Sequence, residues 1–239
     1  MNLPPLRLGI LEAGTVSPEL YASHGGMFDW FDELFAPFPA VQLTRYQIYQ
    51  GELPIDVTQC DAYLITGSVS SVTERTEWMR ETEAFVLAAA SRCPIVGVCF
   101  GHQLIAQAYG AEVGPASQGW GIGMHRYDIL SRKTWMIPQR DALNTLTSHQ
   151  DQVITLPRAA ERLAASDFCP NAMLAIGDNI ITIQSHPEAT NACFGSLYRS
   201  RADVLGHPQV QSALGSLEHE SDGPLFATWA LEFIAQRIG

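Results

Sequence analysis

The apolar run Pro94-Ile95-Val96-Gly97-Val98 meets Cys99-Phe100-Gly101-His102-Gln103 and passes at once into Leu104-Ile105-Ala106-Gln107-Ala108-Tyr109. No other segment limits the fold so much. The β-branched run reads as a buried strand and the second run as a helix. Between them stands Gly-x-Cys-x-Gly, the layout of a nucleophile elbow with cysteine in the nucleophile's position. Backbone strain at the nucleophile, and the clash of side chains where strand and helix cross, call for the two glycines. A cysteine so placed sits at the carboxyl end of a strand and the amino end of a helix. The helix dipole there favours an anion, and the thiolate is the nucleophilic form of cysteine. Cys99 is therefore the candidate nucleophile.

The flanking segments extend this unit. Residues 6–11 read as a first strand, 18–35 as one aromatic-rich amphipathic helix and 41–49 as a second strand. Residues 61–66 make a third strand, ending at the turn signal Gly67-Ser68, and 77–91 carry apolar positions at helical spacing. This β-α-β-α order predicts an α/β fold of three layers, a mostly parallel central sheet flanked by helices. After Gly110 the glycines 114, 119, 121 and 123 punctuate a stretch that ends in a strand over 124–129. Residues 153–156, 161–165 and 173–176 are short and turn-bounded, which suits a small antiparallel edge. Residues 180–184 form an apolar strand feeding Ser185-His186-Pro187-Glu188, and 224–238 read as a closing helix. With no repeat, low-complexity tract or linker, residues 1–239 are expected to form a single domain.

Bulk properties exclude several classes. The 25 acidic residues outnumber the 14 Lys and Arg, for a net charge of −11, and no window clusters basic residues. Such a chain has no nucleic-acid surface, because phosphate binding needs concentrated Lys and Arg. The amino terminus lacks the pattern of a signal peptide, and no apolar run approaches the ~18 residues of a membrane span. Hydrophobic residues make up 46% of the chain, enough for a proper core. Five cysteines without repeated spacing suggest reduced thiols of the cytoplasm, with Cys60, Cys93, Cys169 and Cys193 structural. No His/Cys/Asp group has metal-ligand spacing, so no metal or other cofactor is expected. Neither a Ser-Gly-Gly-x-Asp-Ser loop nor Gly-x-x-x-x-Gly-Lys-Ser/Thr is present, so the chain cannot activate an acceptor with ATP by itself.

A thiol nucleophile needs a base for its proton and a group to orient that base. His186 and Glu188 offer both at a strand's end, with Pro187 stiffening the spacing. Alone, His-Pro-Glu is an ordinary loop tripeptide; after a Cys99 elbow it reads as a proton shuttle with its carboxylate. His102 reads as a packing or capping residue, and His149 as a loop residue that positions backbone. Trp120 suits either the wall of a pocket or a core or interface.

Gly97-Val98-Cys99-Phe100-Gly101-His102-Gln103 followed by His186-Pro187-Glu188 resembles the class I, or triad, glutamine amidotransferases. That family includes the glutaminase domain of GMP synthase and the small subunits of anthranilate and carbamoyl-phosphate synthetases. The resemblance spans roughly residues 45–190, and Ser148-His149-Gln150-Asp151 is similar to a Ser-His-x-Asp segment of the GMP synthase type. It implies a flavodoxin-like fold and a reaction at a γ-glutamyl amide. Cys99 would attack the γ-carbonyl to give a thioester, His186 would protonate the departing amine and then activate water, and Glu188 would orient His186. Backbone N–H groups of Phe100 and of the Gly67-Ser68 turn would hold the oxyanion. The Gln103 side chain and the backbone around Ser148, His149 and Gln150 would hold the substrate's α-amino and α-carboxylate groups.

Two departures matter. Many relatives have Gly-Gly-Pro where this chain has Gly67-Ser68-Val69, which leaves the orientation of that donor peptide open. Residues 118–123 and the long segment after Asn191 are more similar to stand-alone GMP-synthase-like proteins, a group that includes γ-glutamyl peptidases. The expected function is thus a cysteine hydrolase of glutamine or a γ-glutamyl small molecule. One alternative is a glutaminase subunit delivering ammonia to a separate synthetase on another polypeptide. A third reading, of a different class, is a non-catalytic protein that senses oxidation or binds a partner through Cys99. Intracellular protease and chaperone relatives with an elbow cysteine place histidine directly after it, where this chain has Phe100.

Overall fold

The computed structural model describes residues 4–238. In chain order the elements are β1 (Leu6–Glu12), α1 (Pro18–His24), α2 (Met27–Phe35), β2 (Val41–Gln47), β3 (Ala62–Ile65), α3 (Glu77–Ala89), β4 (Ile95–Val98) and α4 (Phe100–Ala108). There follow β5 (Val113–Pro115), β6 (Gly121–Ile129), β7 (Ala142–His149), β8 (Asp151–Val153), β9 (Ala160–Ala165), β10 (Met173–Ile176) and β11 (Ile180–Ile183). The chain ends with α5 (Asn191–Ser200), α6 (Ala202–Leu205), α7 (His207–Ser216) and α8 (Gly223–Ile238).

Nine strands form one sheet in the order β2-β1-β3-β4-β11-β10-β9-β6-β7, and β5 pairs with β8 in a second, two-stranded antiparallel sheet. β2, β1, β3, β4 and β11 run parallel, and β10, β9, β6 and β7 continue the sheet antiparallel. β3, β4 and β11 are buried along their whole length, as strands covered on both faces must be. Phe31 and Phe35 of α2 with Phe226, Trp229 and Phe233 of α8 cover one face. Val86 and Ala89 of α3 with Leu104 and Ile105 of α4 cover the other. A smaller cluster around Leu20, Phe194, Tyr198 and Val210 joins α1, α5 and α7.

Register positions the site. Gly97 of β4 lies beside Ile65 of β3 and Thr182 of β11, and Val98 lies beside Ile183. The carboxyl ends of β3, β4 and β11 are therefore level, and the segments leaving them emerge side by side. Ligands of open α/β sheets bind at these ends.

Several sequence expectations change. Residues 18–35 are two helices: Gly25 takes φ +73° to end α1, and the Gly26 N–H donates to Asp29 Oδ2 at the start of α2 (2.7 Å). The second strand stops at Gln47, where a 3₁₀ turn, Ile48–Gln50, begins. α4 starts at Phe100, directly after Cys99. The strand expected over 153–156 is instead Asp151–Val153. β7 and the helices α5 to α7 go beyond the elements expected from sequence, and His149 lies at the end of β7, not in a loop. No helix among the described residues is long and apolar enough to cross a membrane.

Candidate active site

Cys99 caps α4 with φ +50° and ψ −100°, a conformation that costs a residue with a side chain roughly 1–3 kcal/mol. The surroundings over-determine it. The Cys99 N–H donates to the Ile183 carbonyl (2.8 Å), and the Gly101 N–H donates to the Thr66 carbonyl (3.1 Å). A Cβ on Gly97 would come within 2.8 Å of the Gly101 carbonyl oxygen, and one on Gly101 would collide with the Ile65 carbonyl. Both elbow glycines are thus required by close backbone approach. The Cys99 side chain is buried, and Gln184 Nε2 donates to its sulfur (3.7 Å).

His186 leaves the end of β11 and is tied to β7, its N–H donating to the Leu146 carbonyl (2.8 Å). Its Nδ1 meets Glu188 Oε1 at 2.7 Å, and its ring leans on Phe194 with centroids 5.0 Å apart. Glu188 Oε2 is buried without a partner among the described residues, so the imidazole is the carboxylate's one hydrogen-bond partner among them. The tripeptide is braced from behind, since a Cβ on Gly223 at the start of α8 would collide with the Pro187 carbonyl. Burial opposes charge on His186, but the nearby Cys99 sulfur and the Glu188 carboxylate, hydrogen-bonded to Nδ1, outweigh it. His186 therefore stays charged well above the ordinary imidazole range. Burial pushes the Cys93 thiol up to about 11 and the Cys169 and Cys193 thiols up to about 12. All three sit in the core.

A cleft of about 450 Å³ opens over Cys99 and His186. Phe100, Ser68, Gln103, Ser148, His149 and Gln150 all line it, while Gly67 lies beneath, where a Cβ would come 2.9 Å from His186 Cε1. The Gly67 carbonyl accepts from Thr66 Oγ1 (2.8 Å), and Ser68 Oγ donates to the Ala13 carbonyl (2.8 Å). In a planar trans peptide the Ser68 N–H points opposite to the Gly67 carbonyl. The Ser68 N–H therefore points away from Thr66 Oγ1. The Phe100 N–H, in the first turn of α4, has no intrahelical acceptor.

Gln103 plays a bracing part: its Nε2 donates to the Asp151 carbonyl (2.7 Å) and to Gln184 Oε1 (3.2 Å), leaving only its carbonyl for a ligand. Ser148 Oγ and His149 Nε2 are buried with no partner among the described residues. Burial pushes His149 down to about 3, so it is a neutral imidazole. Asp151 belongs to the Ser-His-x-Asp motif, yet the motif alone gives it no role. Its carboxylate lines the cleft with Glu74 and accepts from Ser71 Oγ (2.5 Å), which gives this end of the cleft a pair of acids. Trp120, Phe194, Leu197 and Arg201 line another part of the wall. His102 is fully buried, its Nδ1 2.7 Å from Thr182 Oγ1, as a packing residue would be. Among the described residues no cluster of His, Cys, Asp and Glu could hold a metal ion.

Comparison with known proteins identifies the family. Residues 40–201 match the family model for glutamine amidotransferase class-I. γ-Glutamyl peptidase 3 of Arabidopsis thaliana is 28% identical over 175 residues, 70% of each chain. The glutamine-hydrolysing GMP synthase subunit of Methanocaldococcus jannaschii is 36% identical over 124 residues, covering 51% of this chain and 65% of that one. The crystal structure of a glutamine amidotransferase from Thermotoga maritima superposes with a TM-score of 0.76 at 18% identity, over 95% of this chain and 96% of the other. That last likeness speaks for the fold.

Proposed function

The chain belongs to the class I glutamine amidotransferase family, and from that premise we propose that it is a self-sufficient γ-glutamyl hydrolase working through Cys99, His186 and Glu188. The observation that carries this reading is the strained Cys99 elbow facing a His186–Glu188 pair closed at 2.7 Å. In the reaction, Cys99 thiolate attacks the γ-carbonyl carbon and the carbonyl electrons move onto oxygen, held by the N–H groups of Phe100 and Ser68. The C–N bond then breaks as imidazolium His186 gives its proton to the leaving nitrogen. A γ-glutamyl thioester and a free amine result.

Electrostatics suit the second half-reaction as well. Formation of the thioester removes the sulfur's charge, the largest of the influences that raise His186. Burial then favours the neutral ring, which can take a proton from water as it attacks the thioester. Glutamate leaves and the thiolate is restored. Asp151 and Glu74 provide charge for the glutamyl ammonium. All five cysteines are buried and free of disulfides, which suits a reducing compartment, and we take the cytoplasm as the site of action.

A glutaminase subunit feeding a synthetase is the second reading, supported by the similarity to the GMP synthase subunit of Methanocaldococcus jannaschii. Ammonia, however, is a small leaving group, and the cleft wall past His186 is broad and aromatic, which favours a larger amine. Glutamate release from free glutamine and from a panel of γ-glutamyl peptides and amines tests both readings, with Cys99→Ala as the blank. We expect Cys99-dependent turnover of a γ-glutamyl peptide or amine well above that of glutamine. Turnover of glutamine alone, rising when a synthetase is added, would favour the second reading. Absence of any Cys99-dependent release would leave the partner-binding or thiol-sensing protein.

A further inference from the structure

The wall of the cleft on the His186 side has a chemistry that hydrolysis of glutamine does not need. Phe194, Leu197 and Arg201 occupy positions i, i+3 and i+7 at one face of α5 and its end, and all three line the cleft. Phe194 touches the His186 ring. Arg201 lies seven residues further, about 10 Å along the helix, and its guanidinium carbon sits 4.7 Å from the centre of the Trp120 ring. Burial lowers its pKa, and no acid among the described residues raises it. A half-buried guanidinium without a carboxylate, stacked on an indole and facing a cleft, is prepared for an anion from outside.

We propose that Arg201 and Trp120 form a subsite for the departing amine, and that this amine is an amino acid or short peptide with an apolar body and a free carboxylate. The inference rests on the hydrolase reading, because His186 must reach the leaving nitrogen and α5 extends from His186 toward Arg201. The glutamyl half has a different place: its ammonium suits Asp151 and Glu74. About 10 Å corresponds to roughly three residues of extended chain. The arginine side chain can swing back from its helix position, so leaving groups of one to three residues fall within reach. Phe194, Leu197 and Trp120 would cover the apolar body, and the guanidinium would take the carboxylate in a bidentate pair.

Binding can be read separately from catalysis by calorimetry on the Cys99→Ala protein with γ-glutamyl-phenylalanine and γ-glutamyl-phenethylamine. The two ligands differ only in the leaving-group carboxylate. Arg201→Gln is expected to weaken the first by about 10- to 100-fold and leave the second unchanged. Arg201→Lys should recover part of the loss, and Trp120→Ala should weaken both ligands. Equal losses on the two ligands would assign Arg201 to the glutamyl carboxylate and overturn the proposal, as would no loss on either. Thermal melting of each variant checks the fold. Glutamate release by the Cys99-containing protein stands as a separate measurement: its absence would sink the hydrolase reading whatever the calorimetry gives.

Discussion

Replacing His186 with alanine is expected to lower γ-glutamyl amide hydrolysis by about 10⁴- to 10⁶-fold, and adding Cys99→Ala should cost little more. Groups acting as one unit fail together: without the imidazolium there is no charge beside the thiolate and no proton for the leaving nitrogen. Single-turnover glutamate release from the two single variants and the double variant measures this. Turnover within tenfold of the unaltered protein would remove His186 from the mechanism. The pH profile gives a second reading of the same unit. His186 is raised above the usual imidazole value, so its charged form persists below that raised pKa and is lost as pH rises through it. The alkaline limb of kcat/KM should accordingly lie well above pH 6.5. Glu188→Gln removes one of the influences that raise His186, and the limb should move to lower pH. An alkaline limb unmoved in Glu188→Gln would mean that the carboxylate only packs.

Sequence alone is most legible where backbone sterics dictate residue type. Gly97 and Gly101 mark the elbow because no side chain fits at either, and the apolar runs of β3 and β4, with that of β11 broken only by Thr182, mark strands covered on both faces. β7 is hidden for the opposite reason. Its buried positions include Thr145 and Thr147, which look polar in sequence but are satisfied by distant partners, Ser185 Oγ at 2.6 Å and the Tyr127 hydroxyl at 2.9 Å. The Gly25-Gly26 break is visible, but the aromatic residues on both sides extend the helical pattern across it. α5 leaves a readable signal, Thr190 as its N-cap accepting from the Cys193 N–H (3.2 Å). Its apolar positions 193, 194, 197 and 198 then follow helical spacing. Arg201 and Trp120 leave none, since 81 residues separate them and no local pattern pairs them. Proximity of that kind is settled by tertiary packing.

Gly101→Ala should destabilise the fold by about 3 kcal/mol, whereas Gly114→Ala should be neutral or slightly stabilising. The two sites differ in what a methyl group meets. At Gly101 it would strike the Ile65 carbonyl and approach Ile65 Cβ to 2.8 Å. Backbone in the middle of a parallel sheet cannot yield without separating α4 from β3. At Gly114 a methyl would find nothing within 4 Å, so only the reduced freedom of the unfolded chain would register. Urea unfolding of both variants against the unaltered protein measures the difference through the midpoint at constant slope. A Gly101→Ala midpoint equal to that of Gly114→Ala would mean that the elbow is looser than its contacts require. Gly67→Ala makes the contrast sharper. Its nearest neighbour is the movable ring of His186, with Cε1 at 2.9 Å, so the added methyl can be relieved by turning the ring away from Glu188. Stability should then change less than at Gly101 while turnover falls by about 10²-fold, the scale of a displacement near 1 Å in a positioned group. One glycine thus holds the nucleophile by backbone against backbone, and the other leaves the imidazole its room.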